Sequence, residues 1–242
     1  MSDWDVRLNR KEERMQEITT ITLPLPYKMG TVNCYLVKTA AGFVLIDTGA
    51  SNSRTELENE LTRAGCKPGN FTLIVLTHGD FDHIGNAAYL SEKFGARIAM
   101  HRDDSGMAEH GDMFWNRSSG HAILRFLAPV LFRFPKSNRF KPDVYIEEGH
   151  DFSEHGFDAR ALSIPGHSKG SIGILTAGGD LFCGDLLENL EEPAINSLMD
   201  DPVDCEASVE KLRGFRINTV YPGHGQPFPM DSFLTACRQE GG

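Results

Sequence analysis

Short apolar runs alternate with short amphipathic stretches along almost the whole chain. The runs consist of β-branched or aliphatic residues bounded by Gly, Pro or Asn, a pattern typical of strands. The predicted strands are 18–24, 32–37, 43–47, 71–77, 96–101, 159–164, 171–176, 181–183 and 217–221. Strands and helices that alternate in this way predict an α/β fold in which sheets are covered by helices.

Four stretches carry helix signals. The segment 53–56, Ser-Arg-Thr-Glu, has the form of a capping box, and the residues that follow it place Leu57 and Leu61 on one face. Further helices are predicted after Asp82, after Asp201-Pro202 and along the C-terminal stripe that begins at Met230. Because no linker or internal repeat divides the chain, residues 1–242 predict a single domain.

Residues 102–143 interrupt the alternation and predict a helical insertion. Between 113 and 142 this segment has six aromatic residues and no acidic one, and its basic residues are Arg117, Arg125, Arg133, Lys136, Arg139 and Lys141. Three interpretations stay open. The insertion is a packing element with solvated charges, a homodimer contact or membrane-surface segment, or a lid whose positive field attracts an anionic small-molecule substrate. Charge reversal at Arg125 and Arg133 would test the lid.

Composition narrows the class of protein. Asp and Glu (34) outnumber Lys and Arg (24), and the net charge of −10 argues against generic nucleic-acid binding. No stretch approaches the roughly 18 apolar residues that a membrane-spanning helix needs. The five cysteines are scattered and never form C-x-x-C, so we expect a reducing, cytoplasmic location rather than a disulfide framework or a zinc ribbon.

Candidate chemistry lies at the ends of predicted strands. The apolar run 73–77 leads into a turn with four residues of metal-ligand type, His78, Asp80, Asp82 and His83. Three later strand ends each present one such residue beside a glycine, and these are His167, Asp185 and His224. Imidazole and carboxylate donors suit zinc, iron or manganese. Four strand ends of this kind predict one shared metal centre.

This set of residues resembles the metallo-β-lactamase superfamily. The turn 77–83, Thr-His-Gly-Asp-Phe-Asp-His, resembles the H-x-H-x-D-H motif of that family, and segments 33–36 and 44–49 resemble its first sheet. The resemblance covers about residues 18–230. It implies an αββα sandwich with two metals at one edge, closer to glyoxalase-II and lactonase relatives than to lactamases with a Cys ligand.

The resemblance also implies a role for each residue. His78, Asp80 and His167 would hold the first metal, and Asp82, His83 and His224 the second. Asp185 would bridge both metals, and Asp47 would support the ligands from below.

Position 80 departs from the family pattern, because it is Asp where most members have His. Three outcomes are open. Asp80 ligates and shifts the metal preference toward iron or manganese, or it turns away and leaves the first site weak, or the protein works with a single metal. Flavodiiron proteins, which are redox proteins, resemble this chain in having a carboxylate at the same place.

The function that the resemblance implies is metal-dependent hydrolysis. Two divalent ions, zinc first and iron or manganese as alternatives, would generate hydroxide at neutral pH. Asp82 is the predicted catalytic residue, as a ligand that also accepts a proton. The expected substrate is an ester, thioester or lactone. The alternatives are a phosphoester and, in another class, a diiron redox protein, against which stands the lack of a flavin-binding domain within the 242 residues.

Overall fold

The computed structural model describes residues 17–117 and 134–240, the last four of them by their backbone only. Within these residues the strands are β1 Glu17–Pro24, β2 Thr31–Thr39, β3 Gly42–Ile46, β4 Phe71–Val75, β5 Arg97–His101, β6 Val144–Ile146, β7 Ala159–Ser163, β8 Ile172–Thr176, β9 Asp180–Gly184, β10 Leu187–Asn189, β11 Pro193–Ile195, β12 Thr219–Pro222 and β13 Phe228–Pro229. The α-helices are α1 Arg54–Arg63, α2 Phe81–Ile84, α3 Ala87–Phe94, α4 Arg102–His110, α5 Pro202–Leu212 and α6 Met230–Glu240.

Two larger sheets form the centre of the fold. One has the strand order β1-β2-β3-β4-β5-β6, the other has the order β13-β12-β9-β8-β7, and β10 and β11 form a separate hairpin. Apolar residues from both sheets, including Val44, Val75, Ile174 and Phe182, share one buried cluster. The sheets therefore pack face to face around a common core.

A helical layer covers the outer face of each sheet. Leu57 of α1 and Leu90 of α3 share a buried cluster with β2 and β4, whereas Leu212 of α5 and Phe233 of α6 are buried against the second sheet. These layers have the order helix, sheet, sheet, helix. The predicted αββα sandwich is confirmed.

Strand direction explains why functional residues collect at one edge. Strands β3, β4 and β5 are parallel, so their carboxyl ends lie at the same edge of the first sheet. In the second sheet β8 is antiparallel to both β7 and β9, while β12 is parallel to β9, so β7, β9 and β12 also end together. The two edges meet there, because Ile172 N–H donates to Thr77 O at 2.9 Å and Asn33 N–H donates to Gly223 O at 2.8 Å.

The nine strands predicted from the apolar runs are all present, with ends that differ by at most two residues. The short strands β6, β10, β11 and β13 were not predicted, since two or three residues are too few to show a period. The predicted helix after Asp82 is divided at Gly85, where a Cβ would lie 2.6 Å from Ser51 N.

The capping box proposed for α1 is wrong. The Ser53 side chain makes no capping hydrogen bond and instead donates to Pro24 O at 2.7 Å. This bond ties the start of α1 to the end of β1. Asp201, in contrast, caps α5 as its sequence indicates, because its carboxylate accepts from Val203 N–H and Asp204 N–H.

The described part of the insertion packs on the sandwich. Helix α4 follows β5 directly, Phe114 is buried, and Phe134 and Phe140 pack against the core beneath the first sheet. These aromatic side chains therefore serve packing. Arg125 and Arg133, on which the test of a lid depends, lie outside the described residues.

Two further observations bear on the sequence predictions. Cys34, Cys66, Cys183 and Cys205 are free thiols and buried, as expected of small core residues. Among the described residues, no helix is both long enough and apolar enough to cross a membrane.

Candidate metal centre

All seven predicted ligands lie together at the shared sheet edge. The turn after β4 carries His78, Asp80, Asp82 and His83, the turn after β7 carries His167, β9 leads to Asp185, and β12 leads to His224. Their donor atoms form three groups that could each hold an ion: His78, Asp80 and His167; Asp82, His83 and His224; and His78, His83 and Asp185. Six of these residues are buried, and His224 is half-buried.

Asp185 lies between the other groups. Its Oδ1 is 3.3 Å from His83 Nε2, and its Oδ2 is 3.2 Å from His224 Nε2. The same Oδ2 is 3.9 Å from Nε2 of both His78 and His167. One carboxylate thus faces histidines of both implied metal positions, which is the arrangement that a bridging ligand needs.

Each of the four histidines has its Nδ1 engaged away from the centre. His83 Nδ1 lies 2.9 Å from Asp47 Oδ2, His224 Nδ1 lies 2.7 Å from Thr31 O, and His167 Nδ1 bonds Leu198 O. His78 Nδ1 lies 3.0 Å from Thr77 Oγ1. Because carbonyl and carboxylate oxygens only accept, Nδ1 of His83, His167 and His224 carries a proton, and Nε2 of all four histidines faces the centre.

Asp47 supports the turn after β4, as the sequence analysis proposed. Its Oδ1 accepts from Thr77 N–H at 2.8 Å, and its Oδ2 accepts from Thr77 Oγ1 at 2.7 Å as well as from His83. The residue has a φ of 58°, a left-handed conformation that is uncommon outside glycine. This strained backbone aims the carboxylate at the turn, and the three hydrogen bonds hold it there.

The residues fit a bound metal pair. Among the residues that the structure describes, His78 Nε2, His83 Nε2 and Asp185 Oδ1 are buried and find no hydrogen-bond partner, which is costly for polar atoms unless another group satisfies them. Gly223 lines the same space, because a Cβ there would lie 2.1 Å from Asp185 Oδ1 and 2.7 Å from His83 Cε1. The absence of a side chain at Gly223 therefore keeps space free beside these metal-ligand atoms.

The two oxygens of Asp80 point to different partners. Oδ2 lies 3.0 Å from His167 Nε2 and 3.7 Å from His78 Nε2, while Oδ1 lies 2.7 Å from Arg117 Nη2. Arg117 Nε in turn lies 3.2 Å from Asp200 Oδ2. Burial raises the pKa of Asp80, but the charge of Arg117 and the bond with His167 outweigh it, so that the pKa is lowered. Asp80 is thus an anion facing both the site and Arg117.

Arg117 corrects part of the sequence interpretation. As one of six basic residues of the insertion it was expected either in solvent or in a field that attracts substrate, yet its side chain is only 8% exposed and is paired with two carboxylates. Its positive charge is therefore paired with these carboxylates and does not contribute to a positive surface of the insertion.

Asp104 is a site residue that the sequence analysis missed. This fully buried carboxylate accepts from Gly79 N–H at 3.0 Å, Gly170 N–H at 2.8 Å and Ser168 Oγ at 2.6 Å. It therefore joins the turn that carries Asp80 to the turn that carries His167. A signal was available, because Asp104 follows β5 and the carboxyl ends of parallel strands share an edge.

Burial and neighbouring charges shift the pKa values of the ligand histidines in opposite directions. Burial and the neighbouring His83 lower the pKa of His78. Burial also lowers the pKa of His83 and His224, but nearby carboxylates outweigh this effect. They raise the pKa of His83 well above its ordinary value and the pKa of His224 to about 9. Without a metal, the carboxylates of the centre thus favour the protonated forms of His83, His167 and His224.

Comparison with known proteins agrees with this geometry. A family model described as the metallo-beta-lactamase superfamily matches residues 27–224. A probable metallo-hydrolase of Bacillus subtilis (strain 168) is 26% identical over 237 residues, with 88% of this chain and 72% of the relative covered. The hydroxyacylglutathione hydrolase of Haemophilus influenzae is 30% identical over 161 residues, covering 64% of this chain and 66% of the relative.

The solved structures give the same result. A protein determined in a di-iron-bound form superposes with a TM-score of 0.68 at 27% identity, covering 89% of this chain and 96% of that one. The family match spans the β4 turn and the later strand ends through His224. The chain belongs to the metallo-β-lactamase superfamily.

Proposed function

We propose that the chain is a binuclear metal-dependent hydrolase of esters, thioesters or lactones. The observation that carries this proposal is the position of Asp185. Its carboxylate faces histidines of two donor groups, and its Oδ1 has no hydrogen-bond partner within the described part of the chain. His78, Asp80 and His167 would hold one ion, Asp82, His83 and His224 the other, and Asp185 both. The metal is zinc, with iron or manganese as alternatives.

Two such ions would supply Lewis acidity and would lower the pKa of a water molecule toward neutral. The chain's residues supply orientation and a proton acceptor. Asp82 Oδ2 lies 3.5 Å from His224 Nε2 and 4.0 Å from His83 Nε2. Burial raises the pKa of Asp82. A carboxylate with a raised pKa is better suited to take up a proton and return it to a leaving group.

The surroundings of the site favour a substrate with an apolar part. Leu198 is 74% exposed in the segment whose carbonyl holds His167, and Leu190 is 66% exposed next to Asn189, whose N–H donates to His224 O. Tyr27 and Met29 are exposed in the loop before Thr31, which holds His224. Three segments that contact ligand histidines thus expose large apolar side chains, which suits an acyl group. The relative that hydrolyses hydroxyacylglutathione supports the same class.

A diiron redox protein is the second candidate. Two observations favour it, the carboxylate at position 80 and the structural relative determined with two irons. Because iron also supports hydrolysis, oxygen consumption by the iron-loaded protein separates the two candidates.

The test combines metal content with a substrate panel. Elemental analysis should find about two ions per chain, and thioesters, esters and lactones should be hydrolysed faster than phosphodiesters with zinc, manganese or iron. Asp185→Asn should lose both ions and the activity. Asp180→Asn is the matched control, since it makes the same change at the other end of β9. One ion per chain under metal excess would rule out the binuclear site. Hydrolysis of phosphodiesters faster than that of esters, thioesters and lactones would contradict the proposed substrate class.

A further inference from the structure

Arg117 connects the two segments that carry the first group of ligands. One nitrogen of its guanidinium forms an ion pair with Asp80 in the turn after β4, and another forms an ion pair with Asp200. Asp200 belongs to the segment that packs on the turn of His167, because Asp200 N–H donates to Gly166 O at 2.8 Å and Leu198 O holds the His167 ring. Arg117 therefore links the turn that carries Asp80 to the segment that contacts His167.

This contact limits how Asp80 can serve as a ligand. Oδ1 forms an ion pair with Arg117 Nη2 at 2.7 Å, so Oδ2 is the Asp80 oxygen that faces His78 and His167. A free carboxylate could offer both oxygens to a hard cation, whereas a carboxylate with one oxygen paired to a guanidinium offers one. The planar guanidinium suits this task because its donors have a fixed geometry.

The contact also balances the charge of the site. Asp at position 80 adds one negative charge relative to a neutral imidazole, and Arg117 adds one positive charge beside it. Arg117 is paired only with carboxylates in the contacts described, and its side chain is 8% exposed, so it has little access to a substrate. Its position indicates an action on Asp80.

We propose that Arg117 is a positioning residue that makes Asp80 a one-oxygen, charge-compensated ligand and thereby sets the metal preference of this site. The inference rests on the proposed metal-dependent function. With Arg117 in place, Asp80 acts like the neutral, single-atom imidazole donor that most family members have at this position. The site therefore keeps a preference for zinc. Without Arg117, Asp80 becomes an uncompensated anion with two available oxygens, which favours manganese.

The experiment measures metal affinity directly. Metal-free wild type, Arg117→Gln and Arg117→Lys are titrated with zinc and with manganese against a chelator of known affinity. In Arg117→Gln the ratio of the zinc to the manganese association constant should fall by about tenfold or more, the size of effect that partners of metal ligands usually have. Arg117→Lys keeps the charge and should retain most of the ratio. Arg54→Gln is the matched control. Arg54 is half-buried, and its contacts among the described residues are with the amide oxygens of Asn86 and Asn138 and with the ring of Tyr89, none of them a carboxylate.

A double-mutant cycle tests whether Arg117 acts through Asp80. In the Asp80→His background there is no carboxylate to hold, so adding Arg117→Gln should leave the ratio unchanged. This pair of variants also keeps the test valid if Arg117→Gln alone fails to fold, since neither of them buries an unpaired Asp80.

The outcomes separate this inference from the proposed function. Fewer than two ions on the wild type would contradict the binuclear function itself. Two ions on the wild type, with an unchanged zinc-to-manganese ratio in folded Arg117→Gln, would overturn only the role of Arg117. An equal shift with and without the Asp80 carboxylate would likewise overturn it, and an equal shift in the Lys and Gln variants would overturn charge compensation.

Discussion

The two halves of the candidate centre are built differently. His83 and His224, in the half with Asp82, are oriented by Asp47 at the end of β3 and by Thr31 at the start of β2. The half with His78, Asp80 and His167 depends on residues after β5, since Asp104 ties its two turns together and Arg117 holds Asp80. The half with His83 and His224 is supported by the sandwich. In the other half His78 contacts Thr77, which Asp47 holds, so that half is supported by the sandwich and also by the insertion.

This difference shows where the site can vary. Strand ends in the sandwich are fixed by the core on both faces, so ligands oriented from them change little unless the fold changes. Ligands oriented from an inserted segment can be altered by a few substitutions there. The single departure from the family pattern, Asp80, lies in the half that the insertion supports, together with the arginine that pairs with it.

The largest effect is expected where both halves are disturbed at once. In Gly223→Ala the new Cβ would lie 2.1 Å from Asp185 Oδ1 and 2.7 Å from His83 Cε1, so the shared carboxylate and a ligand must move. We expect metal content to fall in both halves and activity to fall by about 100-fold or more, as for misplaced catalytic groups. Gly178→Ala is the control, since its Cβ meets nothing closer than 3.6 Å. Full metal content in Gly223→Ala would contradict the crowding on which the site geometry rests.

A smaller effect should be confined to the insertion-supported half. In Asp104→Asn one side-chain oxygen becomes an NH₂ group that faces hydrogen-bond donors, so at least one of Gly79, Ser168 and Gly170 loses its acceptor. We expect about 3 kcal/mol of lost stability, roughly 6–12 °C in Tm for a chain of this size, and metal content near one ion per chain. Thermal unfolding and elemental analysis measure these two results.

Asp103→Asn is the neighbouring control, because Asp103 is exposed and pairs only with His101 among the contacts described. If Asp104→Asn kept both ions and lost only stability, Asp104 would be a structural residue of the fold and the division into halves would not hold on that side.

Asp47→Asn should weaken the sandwich-supported half instead. Asn tolerates the φ of 58° at this position, so the backbone is retained. His83 Nδ1–H would lose its carboxylate acceptor, and the tautomer with a proton on Nε2, which cannot bind a metal, becomes competitive. We expect a 10- to 100-fold loss of affinity for one of two ions. Asp143→Asn is the control, since Asp143 accepts from Ile98 N–H at the opposite end of β5.

The sequence predicted the sandwich-supported half better than the insertion-supported one. Asp185 and His224 lie within two residues of the end of an apolar strand, and His83 belongs to the family motif, so the strand pattern and the motif identify them and imply their grouping. Asp47 was identified in the same way. Their geometry follows from the sheets, which are the part of the structure that hydrophobic periodicity specifies.

Arg117 and Asp104 show what that approach misses. Both act through long-range contacts, Arg117 with a residue 83 positions away and Asp104 with residues 25 and 66 positions away, and neither contact has a local signature. Six basic residues in one segment suggested a positive surface, because sequence alone does not show which of them finds a buried carboxylate. The Ser53 capping box failed for the same reason, since Pro24 O competed for the hydroxyl.

The smallest effect distinguishes the halves by pH. In the metal-free protein, burial lowers the pKa of His224, but Asp185 outweighs it and raises the pKa to about 9, and His83 is raised as well. In the other half burial lowers the pKa of His78, while the bond with Asp80 raises that of His167. Near neutral pH, zinc must therefore displace a proton from His224, whereas burial disfavours the protonated form of His78.

The pH dependence of zinc affinity counts these protons, because the slope of log K against pH equals the number displaced. Asp104→Asn leaves the sandwich-supported half to be measured, and Asp47→Asn leaves the other. Between pH 6.5 and 8.5 the slope of log K against pH should therefore be steeper in Asp104→Asn. Above about pH 9 the difference in slope should disappear, since His224 has then lost its proton.

The same proton on His224 also stabilises the metal-free fold. This contribution is fully present below about pH 6.5, the ordinary pKa of histidine, and is lost as the pH rises through about 9. Equal slopes in the two variants would mean that the carboxylates around His224 do not hold its proton, and that the halves differ in their supports but not in their electrostatics.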